Sequence, residues 1–178
     1  MGYSPEWIQM AKRSIASILP RFSSNRMVNE YLAKFYLPAT RQGQRYAESD
    51  FEPARRLALW KQHVREVWPK VAMRRLDTPQ KRIAFGEGLR LEVSVFLYGL
   101  RPEDVAVELL IAKQTGHEDS QPKSYPFESE GTQSEQGEQR FALELSPEMC
   151  GKLEYRIRLY PQHELLTHPF ELGMMRWL

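Results

Sequence analysis

The chain has 178 residues, of which 42% are hydrophobic and 27% charged, with a net charge of +2 and one cysteine. These values are ordinary for a globular protein of one or two domains. The lone cysteine, Cys150, excludes an internal disulfide and a cysteine-based zinc site. No run approaches the roughly 18 apolar residues of a membrane span, and the amino terminus lacks a signal-peptide pattern. We therefore expect a cytoplasmic protein without a membrane partner.

Charge is divided unevenly along the chain. Residues 1–80 carry 14 Lys and Arg against 7 Asp and Glu, a net of +7, and residues 81–178 carry 11 against 16, a net of −5. A basic half can mark a nucleic-acid-binding region. Here the basic residues are spread over amphipathic helices without a compact block. That pattern is more typical of solvated helix faces or of a surface that docks on another domain, so nucleic acid is not the partner we expect.

The first helix is predicted to begin at Ser4-Pro5-Glu6 and to end at Pro20. A hydroxyl for capping, a proline at the first position and an acid near the positive end of the helix dipole make a good helix start. Apolar residues then follow at helical spacing. This apolar stripe consists of Trp7, Ala11, Ile15 and Ile18.

Two further helices are predicted before residue 72. The second follows Ser23-Ser24-Asn25 and ends at Pro38, where a proline interrupts the helical pattern. Thr40–Gln44 is predicted to be a linker. The third helix begins with a possible capping box between Ser49 and Glu52 and closes at Pro69.

Beyond Leu76 the hydrophobic period changes from that of a helix to two. Short alternating strands separated by turn-rich segments indicate an antiparallel sandwich. The polar stretch 116–139 is predicted to be a mobile hairpin loop, with a possible strand at Tyr125-Pro126-Phe127. We therefore predict an α+β chain, with a three-helix segment in 1–72 and an immunoglobulin-like β-sandwich in 73–178. The alternating segments are Leu89–Leu97, Val105–Ile111, Phe141–Leu145 and Leu153–Leu159.

Apolar side chains also occur where the strands should be polar. Phe96, Tyr98 and Leu110 fall on the outward positions of their strands. If those strands are neighbours, the three form an apolar patch, which usually packs against another domain. A sugar-stacking platform is the alternative. The candidates for a glycan or domain contact are Phe96, Tyr98, Tyr125 and Phe127.

A search for catalytic chemistry finds no complete site. There is no glycine-rich phosphate loop, and His163 and His168 are five residues apart, a spacing that suits neither a helix face nor a strand for shared metal binding. Cys150 lacks an adjacent base that would activate it. The acidic pairs at 103–104 and 118–119 are expected in turns. We predict no catalytic, cofactor-binding or metal-binding residue in this chain.

Four segments carry a family resemblance. The first contains Trp7–Ile15, then Phe22-Ser23-Ser24-Asn25-Arg26, Glu30-Tyr31 and Phe35-Tyr36. It resembles the end of the catalytic region of α-glucan (glycogen or maltodextrin) phosphorylases, in which Phe-Ser-Ser-Asp-Arg precedes a helix ending in Glu-Tyr and an aromatic residue. Asn25 replaces the Asp, and Met27-Val28 replaces a Thr-Ile pair, as in the shorter bacterial and archaeal branch. The other three segments are similar to the carboxy-terminal extension of that branch. They are Gly99–Glu108, Tyr155–His163 and Gly173–Trp177.

The resemblance implies a parent enzyme that this chain does not contain in full. Such enzymes have two Rossmann-like lobes around a glucan cleft and use pyridoxal phosphate to convert α-1,4-glucan and phosphate to glucose 1-phosphate. The lysine that holds the cofactor lies upstream of the Phe-Ser-Ser segment. Lys12, Lys34 and Lys61 lack its sequence context. The resemblance therefore implies a non-catalytic carboxy-terminal part, with pyridoxal phosphate in the parent only.

The expected partners follow from that resemblance. The helical stripe should bury against the missing catalytic lobes, and the isolated chain should self-associate through it as a homo-oligomer. The sandwich should brace the lobes or an oligomer contact. The main alternative is a carbohydrate-binding module for α-glucan, and a nucleic-acid binder that uses the basic helices is the third. The stripe consists of Trp7, Ile15, Met27, Tyr31 and Phe35.

Overall fold

The computed structural model describes residues 2, 4–80, 87–113, 122–131, 134, 137–146 and 151–178. The chain divides into two compact units, Met1–Ala54 and Arg55–Leu178. The first unit is helical, and the second contains the end of the third helix and all the described strands. The α+β class is thus confirmed. The division at residues 72 and 73 stays a prediction.

Two helices open the first unit, α1 (Pro5–Phe22) and α2 (Ser24–Tyr31). Helix α1 begins with Pro5, as predicted, but Ser4 makes no side-chain capping bond. It also runs two residues past Pro20, because a proline disturbs the preceding turn rather than the residues after it. Ser23 caps α2, since its hydroxyl accepts a hydrogen bond from the backbone N–H of Arg26.

A π-helical turn (Leu32–Tyr36) joins α2 to α3 (Leu37–Val67). The backbone N–H of Leu37 bonds to the carbonyl of Leu32, five residues back. Pro38 has no N–H for the carbonyl four residues before it and would crowd that carbonyl in a regular helix, and a π bulge is a common accommodation. The prediction that Pro38 ends the helix was therefore wrong. Thr40–Gln44, predicted to be a linker, is helical.

Helix α3 is broken near its middle. Glu48 is extended, and the next three residues have positive φ, with values of 48° at Ser49, 57° at Asp50 and 63° at Phe51. An N-cap residue has an extended backbone, so Ser49 does not have the geometry of the predicted capping box. The helix resumes at Glu52, with Pro53 in its first turn, where the missing N–H has no intrahelical partner to lose.

Two four-stranded antiparallel sheets make up most of the second unit. Sheet A has the strand order β1-β2-β6-β5, and sheet B has the order β4-β3-β7-β8. The four strands predicted from alternation are β2, β3, β6 and β7, and β4 lies at the predicted possible strand. Strands β1, β5 and β8 were not predicted. The bounds are β1 (Ala72–Arg75), β2 (Leu89–Phe96), β3 (Val105–Lys113), β4 (Lys123–Pro126), β5 (Glu128–Glu130), β6 (Glu138–Leu145), β7 (Leu153–Pro161) and β8 (Arg176–Trp177).

One hydrophobic cluster joins both sheets and the end of α3. The inward positions of β2 and β3 are buried, as the alternation predicted. Val64, fully buried, and Trp68 and Val71 extend the cluster from the helical side. Because these residues share one core with the sheets, the helix from residue 55 onward is part of the β-sheet unit. Sheet residues in the cluster include Leu91, Val93, Val95, Val107, Leu109, Phe141, Ile157 and Leu159.

Candidate functional site

The four aromatic residues predicted to contact a glycan or a domain lie in different environments. Phe96 is half-buried on the outer face of sheet A, with the guanidinium of Arg74 5.7 Å from its ring centroid. Tyr98 follows β2 in a turn with φ of 48° and is 51% exposed. Tyr125 lies half-buried against the core, and Phe127 belongs to the core with 7% exposure. Only Tyr98 therefore has a largely free ring.

The predicted outer apolar patch does not form. Phe96 lies on β2 in sheet A, whereas Leu110 lies on β3 in sheet B. The two strands are consecutive in sequence, but a turn and a short 3-10 helix (Pro102–Asp104) between them carry the chain from one sheet to the other. Phe127, a candidate for a glycan or domain contact, is also not available at the surface. Its backbone N–H donates to the carbonyl of Val107, and its ring packs into the core rather than toward solvent.

A buried carboxylate joins the helix to the sheets. Trp60 donates a 2.8 Å hydrogen bond from Nε1 to Oδ1 of Asp104. The backbone N–H of Arg101 donates to Oδ2 of the same carboxylate at 2.8 Å, and the Arg101 guanidinium pairs with it. Burial opposes ionisation of Asp104, but the bonds from Arg101 and Trp60 outweigh it and hold its pKa below the ordinary 3.8. Both oxygens of the carboxylate accept hydrogen bonds from these two residues, so the arrangement is a satisfied structural contact.

His163 packs beside this contact. Its ring lies 4.8 Å from that of Trp60, and its Nδ1 accepts a hydrogen bond from the backbone N–H of Leu165. Burial disfavours the charged imidazolium and lowers the pKa of His163 below 6.5, although the carboxylates of Glu164 and Asp104 act in the opposite direction. His163 therefore acts as a hydrogen-bond acceptor in a packed turn.

The outer face of sheet B carries a second closed network. Arg158 donates from Nε and Nη2 to Oε2 of Glu108 at 2.8 and 2.6 Å, and Tyr160 donates to Oε1 at 2.7 Å. Phe170 covers the network, with the Arg158 guanidinium 4.7 Å from its ring. Burial and the Glu108 carboxylate raise the pKa of Tyr160 to about 12. Both oxygens of Glu108 are occupied, so this carboxylate is not placed as a general base.

A third network ties sheet A to sheet B. Arg75 donates to the Tyr155 hydroxyl at 2.7 Å and to Oδ2 of Asp77 at 2.6 Å. The other oxygen of Asp77 accepts the backbone N–H of Glu92 at 3.0 Å. Arg75 belongs to β1 and Tyr155 to β7, so the guanidinium bridges the sheets near their inner faces. The role is again structural.

Polar side chains surround an open trough of about 500 Å³ on the outer face of sheet A. Arg74 donates from Nη2 to Oε1 of Glu138 at 2.5 Å, and the Ser94 hydroxyl donates to the same oxygen. Bonds from Ser94 and Arg74 hold the pKa of Glu138 below 4.5. The described residues that line the trough are Arg74, Leu76, Ser94, Glu130, Gly131, Ser134, Glu138 and Arg140.

The helices of the first unit present an exposed apolar face. No residue of α1 or α2 is buried. Trp7 is 63% and Phe22 is 76% exposed. Contiguous apolar exposure of this kind is rare on a free monomer. The exposed large apolar residues here include Trp7, Ile15, Ile18, Leu19, Phe22, Met27, Tyr31 and Phe35.

The described residues do not fit the cofactor that the resemblance implies for the parent. Pyridoxal phosphate requires a lysine amine in an enclosed site to form its Schiff base. Lys61 is half-buried, but its Nζ donates to the carboxylate of Glu171, and the other described lysines are exposed. Within the described ranges, no three His, Cys, Asp or Glu side chains lie close enough to hold a metal ion. Cys150 and His117 lie outside those ranges.

None of the described helices combines the length and apolar composition that a membrane span needs.

Sequence reasoning missed the three carboxylate networks. It placed Asp104 in a turn and treated Trp60 as a core residue, although both lie in one hydrogen bond. For the Asp104 and Glu108 networks the sequence did contain a signal, because their residues lie in segments that carry the family resemblance. Asp104 and Glu108 lie in Gly99–Glu108, and Arg158 lies in Tyr155–His163. Both segments therefore supply side chains to the networks that join the helix and the strands.

Comparisons with known proteins agree with the resemblance. Residues 68–178 match the model of a family described as the glycogen phosphorylase C-terminal domain. The chain is 37% identical to the maltodextrin phosphorylase of Thermococcus litoralis, and the match covers 96% of this chain and 20% of that protein. It is 29% identical to the glycogen phosphorylases of Mycobacterium bovis and Mycobacterium tuberculosis, over 98% of this chain and 20% of each. The chain thus spans 20% of the length of these relatives. No solved structure gives a significant match.

Proposed function

The chain belongs to the family of glycogen phosphorylase C-terminal domains, and on that premise we propose that it is the non-catalytic carboxy-terminal part of an α-glucan phosphorylase. Its role is to support the catalytic lobes of that enzyme. One observation carries the proposal. Nearly the whole chain matches a segment that makes up 20% of the length of each relative, and these relatives are phosphorylases. The networks in which Trp60 bonds to Asp104 and Tyr160 bonds to Glu108 join separate elements of the fold and agree with a supporting role.

The parent reaction under this proposal is the phosphorolysis of α-1,4-glucan to glucose 1-phosphate. Pyridoxal phosphate would be held by the parent, since the described lysines do not fit it. In the parent its phosphate group would assist transfer of the glucosyl unit to inorganic phosphate. The residues of this chain then take no step in that chemistry, and the protein would act in the cytoplasm.

The apolar face of α1 and α2 is proposed to dock on the rest of the parent polypeptide. The relatives are about five times as long as this chain, so a large partner surface is available within one polypeptide. Burying apolar side chains contributes roughly 25 cal/mol for each Å² removed from water. Several large side chains such as Trp7 and Phe22 would therefore contribute several kcal/mol to docking.

An immunoglobulin-like arrangement of the two sheets, preceded by three helices, is the fold that we propose in detail. Two antiparallel sheets that share one hydrophobic cluster support the immunoglobulin-like arrangement. The break at Glu48–Phe51, which divides α3 into two helical lengths, supports the count of three helices. Strand directions within about 30° between the sheets are expected for such a sandwich. An experimental structure with sheets crossing near a right angle would contradict it.

Two experiments test the proposed function. The first is to read the coding DNA upstream of the Met1 codon. An open frame that continues into a lysine motif for pyridoxal phosphate is expected, and a stop codon there would contradict the proposal. The second measures glucose 1-phosphate release from maltoheptaose and phosphate by the whole protein. Ile15→Asp should lower its activity and melting temperature, whereas Ser17→Asp, a matched change on the polar side of α1, should not.

Glucan binding by the sandwich is the second candidate function. The aromatic platform expected for it is not favoured, because Phe127 and Tyr125 pack against the core. Phe96 and Tyr98 keep partial exposure, and Phe96 borders the polar trough through Arg74. The trough, rather than the aromatic side chains, is therefore the observation that supports a sugar contact.

A further inference from the structure

The trough on sheet A is built by strand register rather than by a loop. Antiparallel pairing places Arg74 opposite Ser94, Ser94 opposite Arg140, and Arg140 opposite Glu130. Directly opposed residues in adjacent strands have side chains on the same face of a sheet. Four strands thus contribute one row of hydrogen-bonding groups across the outer face. Glu138 reaches this row from the neighbouring position, opposite Phe96.

The floor of the trough is low because its central residue is small. Ser94 is 1% exposed although it lies on the outer face, since the longer side chains around it rise above it. The volume of the trough, about 500 Å³, is within the roughly 300–1,000 Å³ typical of small-ligand sites. Leu76 adds an apolar part to the wall. The trough can therefore hold a ligand that has both apolar and polar surfaces.

Among the described lining residues of the trough, the positive and negative charges balance. Two guanidiniums, of Arg74 and Arg140, face two carboxylates, of Glu130 and Glu138. A phosphate or a nucleic acid would meet both carboxylates, and a metal cation would meet both guanidiniums. A neutral polyhydroxyl ligand instead donates to the carboxylates and accepts from the guanidiniums. The composition thus favours sugar over charged ligands.

Most of these groups are held in place without a ligand. Glu138 accepts bonds from Arg74 and from the Ser94 hydroxyl, and Glu130 is paired at 2.8 Å with Arg90. The Arg74 guanidinium also lies over the ring of Phe96. Side chains that are already ordered lose less conformational entropy when a ligand binds. Arg140 is exposed and lines the trough, so its guanidinium can donate to a ligand hydroxyl.

From this arrangement we infer that the trough is a binding site for a segment of α-glucan chain. The choice of α-glucan among neutral sugars rests on the proposed function, because the relatives are maltodextrin and glycogen phosphorylases. Arg74 and Arg140 donate to sugar hydroxyls, Glu138 and Glu130 accept from them, and Leu76 contacts the C–H face of a glucosyl ring. The site would hold a glucan on the accessory part of the enzyme, apart from any site in the catalytic lobes.

Titration of the full chain with maltoheptaose, followed by isothermal calorimetry and by amide NMR shifts, tests the inference. Saturable binding is expected, with the largest shifts at residues 74, 94 and 140. The variants Arg140→Ala and Glu138→Gln should each weaken binding by about tenfold or more, since each removes charge-assisted hydrogen bonds to the ligand. Arg156→Ala is the matched control, because Arg156 is an exposed arginine on β7 of the other sheet.

Three results would overturn the inference. These are no binding at millimolar maltoheptaose, equal binding by all variants, and equally tight binding of the β-linked cellohexaose. Melting curves of the variants separate a lost site from a lost fold, and Glu138→Gln keeps the size of the side chain if Arg140→Ala unfolds. Failure here leaves the proposed function standing, because the upstream DNA and the phosphorolysis assay test that function without reference to the trough.

Discussion

Trp60 in helix α3 donates a hydrogen bond of 2.8 Å to the carboxylate of Asp104, 44 residues further along the chain. The bond joins the helix to the turn that carries the chain from sheet A to sheet B. It stands beside the buried contact of Val64 with the core and the ion pair of Lys61 with Glu171. Together these contacts make the end of α3 a structural part of the β-sheet unit.

Removing the indole donor should destabilise the β-sheet unit. Trp60→Phe keeps an aromatic ring but removes one of the donors to the buried Asp104 carboxylate, which then keeps only its bonds from Arg101. Loss of a hydrogen bond to a charged group costs about 1–3 kcal/mol. Urea denaturation followed by circular dichroism measures the loss. Trp7→Phe changes an exposed tryptophan of the other unit and serves as the control. An unchanged midpoint for Trp60→Phe would show that the hydrogen bond adds nothing to stability.

The β-sheet unit should need the helix that precedes the family match. The match begins at residue 68, whereas the compact unit begins at Arg55. A fragment of residues 55–178 should unfold cooperatively, and one of residues 68–178 should be much less stable, because it lacks Val64 and leaves Asp104 without Trp60. Thermal melts and amide NMR dispersion compare the two. Equal stability would place the start of the folding unit at residue 68.

Stability should fall between pH 7.5 and pH 5.5, in part through His163. Burial lowers its pKa in the folded state, so the unfolded chain binds a proton near pH 6.5 while the folded chain does not. The contribution is therefore present above pH 6.5 and is lost as the pH falls through the folded pKa. His163→Asn, whose side-chain oxygen can still accept from Leu165, should flatten this decline in urea midpoints.

His168→Asn is the matched control for that pH dependence. The exposed His168 also accepts a backbone N–H through Nδ1, from Phe170. If His168→Asn flattens the decline and His163→Asn does not, the assignment to His163 is wrong.

Arg158 should not be replaceable by lysine. Lysine keeps the charge but loses the two bonds that Arg158 makes to Oε2 of Glu108 and its stacking on Phe170. We expect Arg158→Lys to lower the free energy of unfolding by about 1–3 kcal/mol. Arg156→Lys, two residues earlier on the same strand and exposed, should change it little. Equal effects of the two substitutions would refute a specific role for the Glu108 network.

The isolated chain should self-associate through the apolar face of α1 and α2. Light scattering at increasing protein concentration should show a rising mean mass. Phe22→Asp should reduce the rise, because it places a charge on that face, while Ser17→Asp on the polar side should not. A monodisperse monomer at high concentration would contradict the prediction.

The residues that face inward in the main strands can be derived from the amino-acid pattern alone. Alternation in Leu89–Leu97 and Val105–Ile111 correctly predicted the buried positions, because a strand has a side-chain period of two wherever it lies. The start of α1 at Pro5 could likewise be predicted, because it depends on neighbouring residues in the sequence. The motifs of Gly99–Glu108 and Tyr155–His163 also carried the family resemblance, since a motif is a property of the sequence alone.

Which strands are neighbours and what the polar residues contact became known only from the folded structure. β1 escaped prediction because four residues with a mixed pattern have no periodic signal and are ordered by pairing with β2. Phe96 and Leu110 belong to different sheets, and the sugar-sized trough needs register across four strands. The bond between Trp60 and Asp104 likewise joins distant segments. Such contacts depend on which segments meet after folding, and local propensity carries no record of that.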